Sequence, residues 1–363
     1  MAEGRPIRVM IVEDSVMTRR LLAEILSTEP GIEVAGTAAN GRIALDKIDV
    51  YKPDLITLDI EMPELNGLSM LSRLRLTHPR LPVIMLSTTT QRGAAATLEA
   101  LNRGASDWVG KPAGDNLMAS MRRIREELVP RVRALAAPRQ RPLSPIALAQ
   151  RSATISTAPT PWNGRVDLVA IGASTGGPQA LTTVLSSLPV DFPTPIVIVQ
   201  HMPPVFTRLL AERLAVATRR SVVEGVAGLT IGPGQVVIAP GGLHLTVSRD
   251  ARGVRLGTDE GRARHSCRPS VDVLFESVAE SFGAGALAVV LTGMGQDGLA
   301  GARQIYECGG AVLAQDEQSS VVWGMPGYVA RAGIAAAVLP LESIGREIWR
   351  HSQRGRARLR QPG

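Results

Sequence analysis

Two α/β domains, each built on a parallel sheet, are predicted for this chain of 363 residues. Three observations predict them. Apolar, β-branched runs alternate with amphipathic stretches over residues 7–127, and the same alternation resumes at Val166 and runs to about Ala337. Between them, residues 130–163 are rich in Pro, Arg, Ser, Ala and Thr and keep no periodicity, as a linker does. The length allows each half its own core, and a composition 45% hydrophobic and 20% charged is that of ordinary globular domains.

Taken in order, the first domain is expected over residues 1–129. Its strands are Ile7–Val12, Ile32–Thr37, Leu55–Leu58, Val83–Leu86 and Asp107–Val109, with helical patterns at Met17–Leu26, Leu68–Leu76 and Asn116–Leu128. Five β/α units of this kind predict a doubly wound five-stranded parallel sheet. The second domain, over residues 164–345, opens on the strand Val166–Ile171 and continues with Ile196–Val199, Val236–Ala239 and Leu287–Leu291. The stretch Val236–Arg255, broken by Pro240-Gly241-Gly242 and by Asp250–Gly253, is expected to form a β-meander inserted into that sheet. Residues 346–363 form a basic tail.

Charge and cysteine content narrow the function classes. The net charge is +7, yet residues 1–130 hold 16 Lys/Arg against 17 Asp/Glu. The excess lies in 131–163, with five Arg and no acid, and in 345–363, with six Arg against Glu347. A nucleic-acid site wants a basic face on a folded element interleaved with aromatics, and aromatics are 3% of this chain, so no nucleic-acid partner is expected. Cys267 and Cys308 have no metal-binding spacing and read as reduced structural thiols. No apolar run reaches the ~18 residues that cross a bilayer, and the start MAEGRPIRVMIVEDS has no signal-type apolar region. A cytoplasmic chain without membrane insertion is expected.

Ligands of open α/β sheets bind beyond the carboxyl ends of the strands. In the first domain Glu13 and Asp14 follow the first strand and Asp59 the third. These clustered carboxylates suit Mg²⁺, a hard cation. Ser87 and Thr88 end the fourth strand, and Lys111-Pro112 follows the fifth. A hydroxyl, an ammonium and a metal around one aspartate can neutralise a phosphoryl group carried on its carboxylate. On VEDS, LDIEMPELNGL, LST and GKP, about 120 residues resemble response-regulator receivers, which are flavodoxin-like. The resemblance implies that Asp59 accepts the phosphoryl group and that Glu13 and Asp14 help it hold Mg²⁺. It also implies that Ser87 is the switch hydroxyl, a role Thr88 could take instead, and that Lys111 contacts the phosphoryl group.

In the second domain the first strand runs into Gly172-Ala173-Ser174-Thr175-Gly176-Gly177-Pro178, a Gly-flanked turn before a helix. The stretch satisfies the G-x-S-x-G of esterase nucleophiles, and it is also compatible with a phosphate cradle. His201, after the strand ending in Gln200, and Asp297, after the strand ending near Leu291, fall at the same sheet edge as a base and its orienter. The Gly-flanked Met294 offers an N–H to a developing oxyanion. His244, His265 and His351 read as ordinary surface or core residues. The chain order Ser, His, Asp differs from the Ser, Asp/Glu, His order of α/β-hydrolases.

On IGASTGGP, VQHMPPVFT, APGGLHL, RPSVDVLF and LTGMGQDG, residues 166–335 resemble the catalytic domain of chemotaxis protein-glutamate methylesterases. The resemblance implies Ser174 as nucleophile, His201 as base, Asp297 as its orienter, and Thr175 and Met294 near the oxyanion site, with no cofactor in this domain. Val205 stands where that family's PPGFT stretch has glycine. The implied reaction is hydrolysis of γ-glutamyl methyl esters on methyl-accepting chemoreceptors, together with deamidation of receptor glutamines, in chemotaxis adaptation. A chemotaxis histidine kinase is the implied phosphodonor. The linker is long enough for the unphosphorylated receiver to cover the Ser174 cleft, so removing residues 1–130 is expected to raise basal turnover. The alternative is a phosphorylation-dependent receptor adaptor without turnover.

Overall fold

A computed structural model describes residues 5–111, 117–136, 164–250 and 253–357, and the chain divides into two compact units, Met1–Pro138 and Arg139–Gly363. Pro112, most of the expected linker, the tip of the Asp250–Gly253 turn and the end of the expected tail lie outside the described residues.

The first unit alternates β1 (Ile7–Val12), α1 (Val16–Ser27), β2 (Ile32–Ala38), α2 (Gly41–Tyr51), β3 (Leu55–Asp59), α3 (Gly67–Thr77), β4 (Val83–Ser87), α4 (Gln91–Asn102), β5 (Asp107–Gly110) and α5 (Leu117–Ala136). The strands form one parallel sheet in the order 2-1-3-4-5, as the alternation predicted. Each of the first four helices starts on a short polar side chain. Ser15, Asn40, Asn66 and Thr90 accept hydrogen bonds from the N–H groups of Thr18, Ile43, Ser69 and Gly93, satisfying donors that a helix start leaves open.

Helix α5 runs past the expected domain end at 129, with Pro130 inside it. A proline in a helix interior costs about 3 kcal/mol. Beyond Pro130, Val132 is buried in the core of this unit and Leu135 and Ala136 pack against it, and burial worth about 1.5–3 kcal/mol per full side chain offsets the missing N–H. Arg131 and Arg133, expected in the linker, instead pair with Asp107 and Glu29 at 3.1 and 3.2 Å.

The second unit contains β6 (Leu168–Ala173), α6 (Gly177–Ser187), β7 (Ile196–Gln200), α7 (Phe206–Thr218), β8 (Val222–Glu224), β9 (Thr230–Ile231), β10 (Val236–Ile238), β11 (His244–Asp250) and β12 (Gly253–Asp259). It continues with α8 (Val271–Phe282), β13 (Ala286–Val290), α9 (Leu299–Glu307), β14 (Ala311–Gln315), α10 (Met325–Arg331), β15 (Ala337–Leu339) and α11 (Leu341–Ala357). Seven strands form a parallel sheet in the order 15-14-13-6-7-10-8. The expected meander is divided. Val236–Ile238 joins the main sheet as a parallel strand, while β11 and β12 form an antiparallel hairpin that takes β9 as a third strand. Both faces of β10 are needed by the core, and all three of its residues are buried.

The basic segment expected to begin at 346 is helical to Ala357. Ile344, Ile348, His351 and Ser352 are buried on one face of α11, and a Cβ at Gly345 would collide with Ser187 of α6. Arg346 and Arg350 therefore lie on the outer face of a packed helix.

Candidate functional site

Strands β13, β6 and β7 lie side by side, and the chain leaves β6 toward opposite edges of the sheet. That reversal is where an open parallel sheet opens a crevice at its carboxyl edge. Three loops meet there. Ser174 N–H donates to Thr292 O at 3.0 Å, His201 N–H to Ala173 O at 3.1 Å, and Leu291 N–H to Gly172 O at 2.9 Å. The structure thus brings the Ser174 turn, His201 and the Leu291–Asp297 loop to one edge.

The Ser174 turn owes its shape to small residues. Gly176 has φ 77°, where a side chain would be strained and would also strike Val321. A Cβ at Gly293 would come 2.8 Å from Ser174 Cβ and would collide with Met325. Gln200 Nε2 donates to Ser174 O at 2.9 Å, and a Cβ at Gly177 would occupy the place of its Oε1. Ser174 itself is partly exposed.

His201 Nε2 and Asp297 Oδ2 are 2.8 Å apart. Asp297, only 2% exposed, also accepts from Ser270 Oγ at 2.8 Å, Val271 N–H at 2.7 Å and Asp272 N–H at 3.1 Å. The last two are the first free N–H groups of α8, so its helix terminus and dipole stabilise the carboxylate. Burial would raise the Asp297 pKa, but the His201 bond and these N–H groups bring it down to about 2. Burial disfavours the His201 imidazolium, yet Asp297 and Cys267 more than offset that and hold its pKa up at about 10.

The other ring nitrogen, His201 Nδ1, lies 3.5 Å from Cys267 Sγ. Among the described residues no hydrogen bond joins Ser174 to His201. Catalytic hydrogen bonds are often long without substrate and tighten in the complex. Thr175 is buried, and its carbonyl accepts from Thr292 Oγ1 at 2.9 Å. Met294 is half-buried beside Gly295, and among the described residues no protein group accepts from its N–H.

Several roles were not legible from sequence. Cys267, read there as a structural thiol, is a free, half-buried cysteine against the histidine. Ser270 and Gln200 support Asp297 and the Ser174 turn. Their only signal was membership of the RPSVDVLF and VQHMPP stretches. His244 is a satisfied core residue, meeting Arg262 O and Ser270 N–H at 3.1 Å each, while His265 and His351 pair with Asp272 and Glu347.

Val205 precedes α7 with φ 72° and ψ −46°. That is backbone a β-branched residue adopts only under strain, of order 1–3 kcal/mol. The departure from glycine is therefore a cost in backbone energy beside His201. Val205→Gly is expected to raise stability by about 1 kcal/mol after glycine's extra unfolded-chain entropy is subtracted. Denaturant unfolding of the two proteins checks this, and an unchanged or lower midpoint in the variant would contradict it.

In the first unit Glu13 and Asp59 are buried at the ends of β1 and β3, with Asp14 exposed beside them. Lys111 Nζ sits 2.6 Å from Asp59 Oδ2 and 3.2 Å from Glu13 Oε2. Neither of those buried oxygens makes a well-formed hydrogen bond beyond this ammonium. Burial and the neighbouring Asp59 charge push Glu13 up to about 7, and burial likewise raises Asp59 against the pull of Lys111. Glu13, Asp14 and Asp59 each offer an oxygen within 4.8 Å of the others. Three carboxylates against one ammonium, all oxygen donors, fit a hard divalent cation such as Mg²⁺. Ser87 is buried and its hydroxyl donates to the carbonyls of Thr88 and Gly93 at 3.1 Å, whereas Thr88 is exposed and meets Thr90.

The CheB methylesterase family model matches residues 169–348, and the response regulator receiver domain model matches residues 9–122. A protein-glutamate methylesterase/protein-glutamine glutaminase of Nocardioides sp. is 49% identical over 97% of this chain and 97% of its own length. The protein of that description from Trichodesmium erythraeum is 48% identical over 94% of this chain and 98% of its own. The solved CheB methylesterase catalytic domain of Thermotoga maritima is 42% identical, covering 50% of this chain and 97% of that one, with a TM-score of 0.49.

Proposed function

The chain belongs to the family of protein-glutamate methylesterases/protein-glutamine glutaminases that carry a receiver domain, and from that premise we propose that Ser174, His201 and Asp297 perform its hydrolysis. The family's activity is hydrolysis of glutamyl methyl esters and of glutamine amides in chemotaxis adaptation. The observation that carries the residue assignment is the buried Asp297–His201 pair at the same sheet edge as Ser174.

Ser174 Oγ attacks the γ-carbonyl of the substrate side chain while His201 takes its proton through Nδ1. Asp297 keeps the ring oriented and stabilises the imidazolium that forms. Met294 N–H, beside Thr175, receives the oxyanion. His201 then returns the proton to the departing methoxide, which leaves as methanol, or to the amine, which leaves as ammonia. A water deprotonated by His201 cleaves the acyl-enzyme, releasing the glutamate and restoring the Ser174 hydroxyl. Each turn requires neutral His201, so the group holding Nδ1 must yield to Ser174 as substrate binds.

Methylated chemoreceptors are the substrates and a kinase is the phosphodonor, as the two domains imply in general. We assign the phosphoacceptor to Asp59 and the receiver Mg²⁺ to Glu13, Asp14 and Asp59. When bound, that ion neutralises charge on the phosphoryl oxygens. Lys111 contacts the phosphoryl group in this reading and Ser87 turns toward it by releasing the Gly93 carbonyl, which the Lys111–Asp59 pair at 2.6 Å supports. Phosphorylation then shifts the population between two states of the chain by favouring one of them.

Methanol release from methylated receptor membranes tests this reading. A phosphodonor is expected to raise the wild-type rate, to leave Asp59→Asn unchanged, and to leave a chain starting at Arg139 at or above the stimulated rate. A truncated chain no faster than the unstimulated protein would remove the restraint assigned to the receiver. Phosphorylation-dependent receptor binding with no methanol release would make the protein an adaptor.

A further inference from the structure

We propose that His201 and Cys267 form a site for Zn²⁺ and similar thiophilic divalent cations, and that its occupation shuts off hydrolysis. The inhibitory half of this rests on the reading of His201 as the catalytic base. His201 Nδ1 and Cys267 Sγ are 3.5 Å apart. With Zn–N near 2.0–2.1 Å and Zn–S near 2.3 Å at a tetrahedral angle, two such ligands stand about 3.5 Å apart. The pair already has the separation that one shared ion imposes.

Three further features prepare it. Asp297 holds the other ring nitrogen at 2.8 Å, the arrangement in which a carboxylate fixes the orientation of a metal-ligating histidine. Cys267 is anchored at its backbone, since Arg264 and Cys267 exchange both N–H···O bonds, at 3.1 and 2.8 Å. Cys267 is half-buried and the His201 side chain keeps 11% of its surface exposed, so an ion can reach the pair without unfolding. His201, Cys267 and Asp297 together form a cluster of potential ligands within 4.8 Å, although Asp297 is already saturated by the N–H and O–H groups of α8 and Ser270. Asp297 is therefore a support for the ring, and solvent fills the remaining positions on the ion.

Binding exchanges the Cys267 thiol proton, and any proton on Nδ1, for the metal. Nδ1 is the nitrogen that must accept the Ser174 proton. An ion there removes the base from the reaction while leaving Ser174 and the oxyanion N–H in place, so zinc should lower kcat.

The test uses the full-length protein in excess Mg²⁺, which keeps the receiver carboxylates occupied. Co²⁺ in place of Zn²⁺ reports a thiolate ligand directly through its sulfur-to-metal charge-transfer absorption. The band is expected in wild type and in Cys308→Ser, to disappear in Cys267→Ser and Cys267→Ala, and to be displaced by Zn²⁺. Each protein's methanol release is then titrated with Zn²⁺ and scaled to its own zinc-free rate. The concentration for half-inhibition is expected to rise by about tenfold or more in both Cys267 variants, with chelator restoring wild type. A band that survives in Cys267→Ser and Cys267→Ala, or equal zinc sensitivity in all four proteins, would overturn the site. A Cys267-dependent band without inhibition would overturn the inhibitory role. If zinc-free wild type releases no methanol, the hydrolytic assignment fails while the absorption still decides whether the ion binds here.

Discussion

Ser174→Ala is expected to lower kcat for methanol release by about 10⁴- to 10⁶-fold, the range seen when a serine hydrolase loses its nucleophile. The loss should fall on the chemical step. The Ser174 backbone is held by Thr292 O and Gln200, neither of which touches the hydroxyl, so the turn survives the substitution. Receptor binding and thermal stability should therefore stay close to wild type. Residual turnover would come from the Met294 N–H and from positioning. The measurement is single-turnover and steady-state methanol release from methylated receptor membranes, with circular dichroism to confirm folding. Turnover that survives in Ser174→Ala but vanishes in Cys267→Ala would transfer the nucleophile's role to the thiol that faces His201 at 3.5 Å.

Asp297→Asn is expected to cost about 10⁴-fold in kcat and, unlike the serine change, to destabilise the fold. The carboxylate accepts from His201, Ser270, Val271 and Asp272 at once. An amide has a single acceptor oxygen and must turn its NH₂ toward donors, leaving a buried group unmatched at about 1–3 kcal/mol. The pH dependence separates this from a merely structural effect. Asp297 and Cys267 together hold the His201 pKa up at about 10 against its burial, and the rate needs the neutral ring, so wild-type activity rises with pH toward that value. Without the carboxylate's charge the rise should move to lower pH. A variant that retains kcat within tenfold of wild type, or whose rise stays where it was, would separate Asp297 from the base.

Most of the architecture was legible in the sequence because its signals are local. Buried parallel strands read as continuous apolar runs, and Ile7–Val12, Ile196–Val199 and Leu287–Leu291 each fall within a residue or so of the observed strand. The misplacements have tertiary causes. Helix α5 crosses Pro130 because Val132 and Leu135 have a core to meet, and α11 continues past 346 because Gly345 lets it close on α6. Propensity alone ends the first helix and leaves the second a solvated tail. Val236–Ile238 is legible as a strand of the main sheet, where it pairs with β7 and β8, but the strong turn after it also makes it look like the start of the meander that β11 and β12 form without it.

The same division runs through the site. The sequence by itself determined the chemistry-bearing loops, since strand, Gly-flanked Ser174 and helix are contiguous, and His201 and Asp297 follow strands at one edge. It determined the acid cluster of the receiver for the same reason. What only the tertiary structure decided is what each group faces. Cys267 comes to His201 across 66 residues, and Ser270 with the start of α8 comes to Asp297 across 27 and 26. No periodicity encodes those contacts. They arise because α8 packs over β6, where Gly172 leaves room for Val271, and so points its free N–H groups at the buried Asp297 carboxylate.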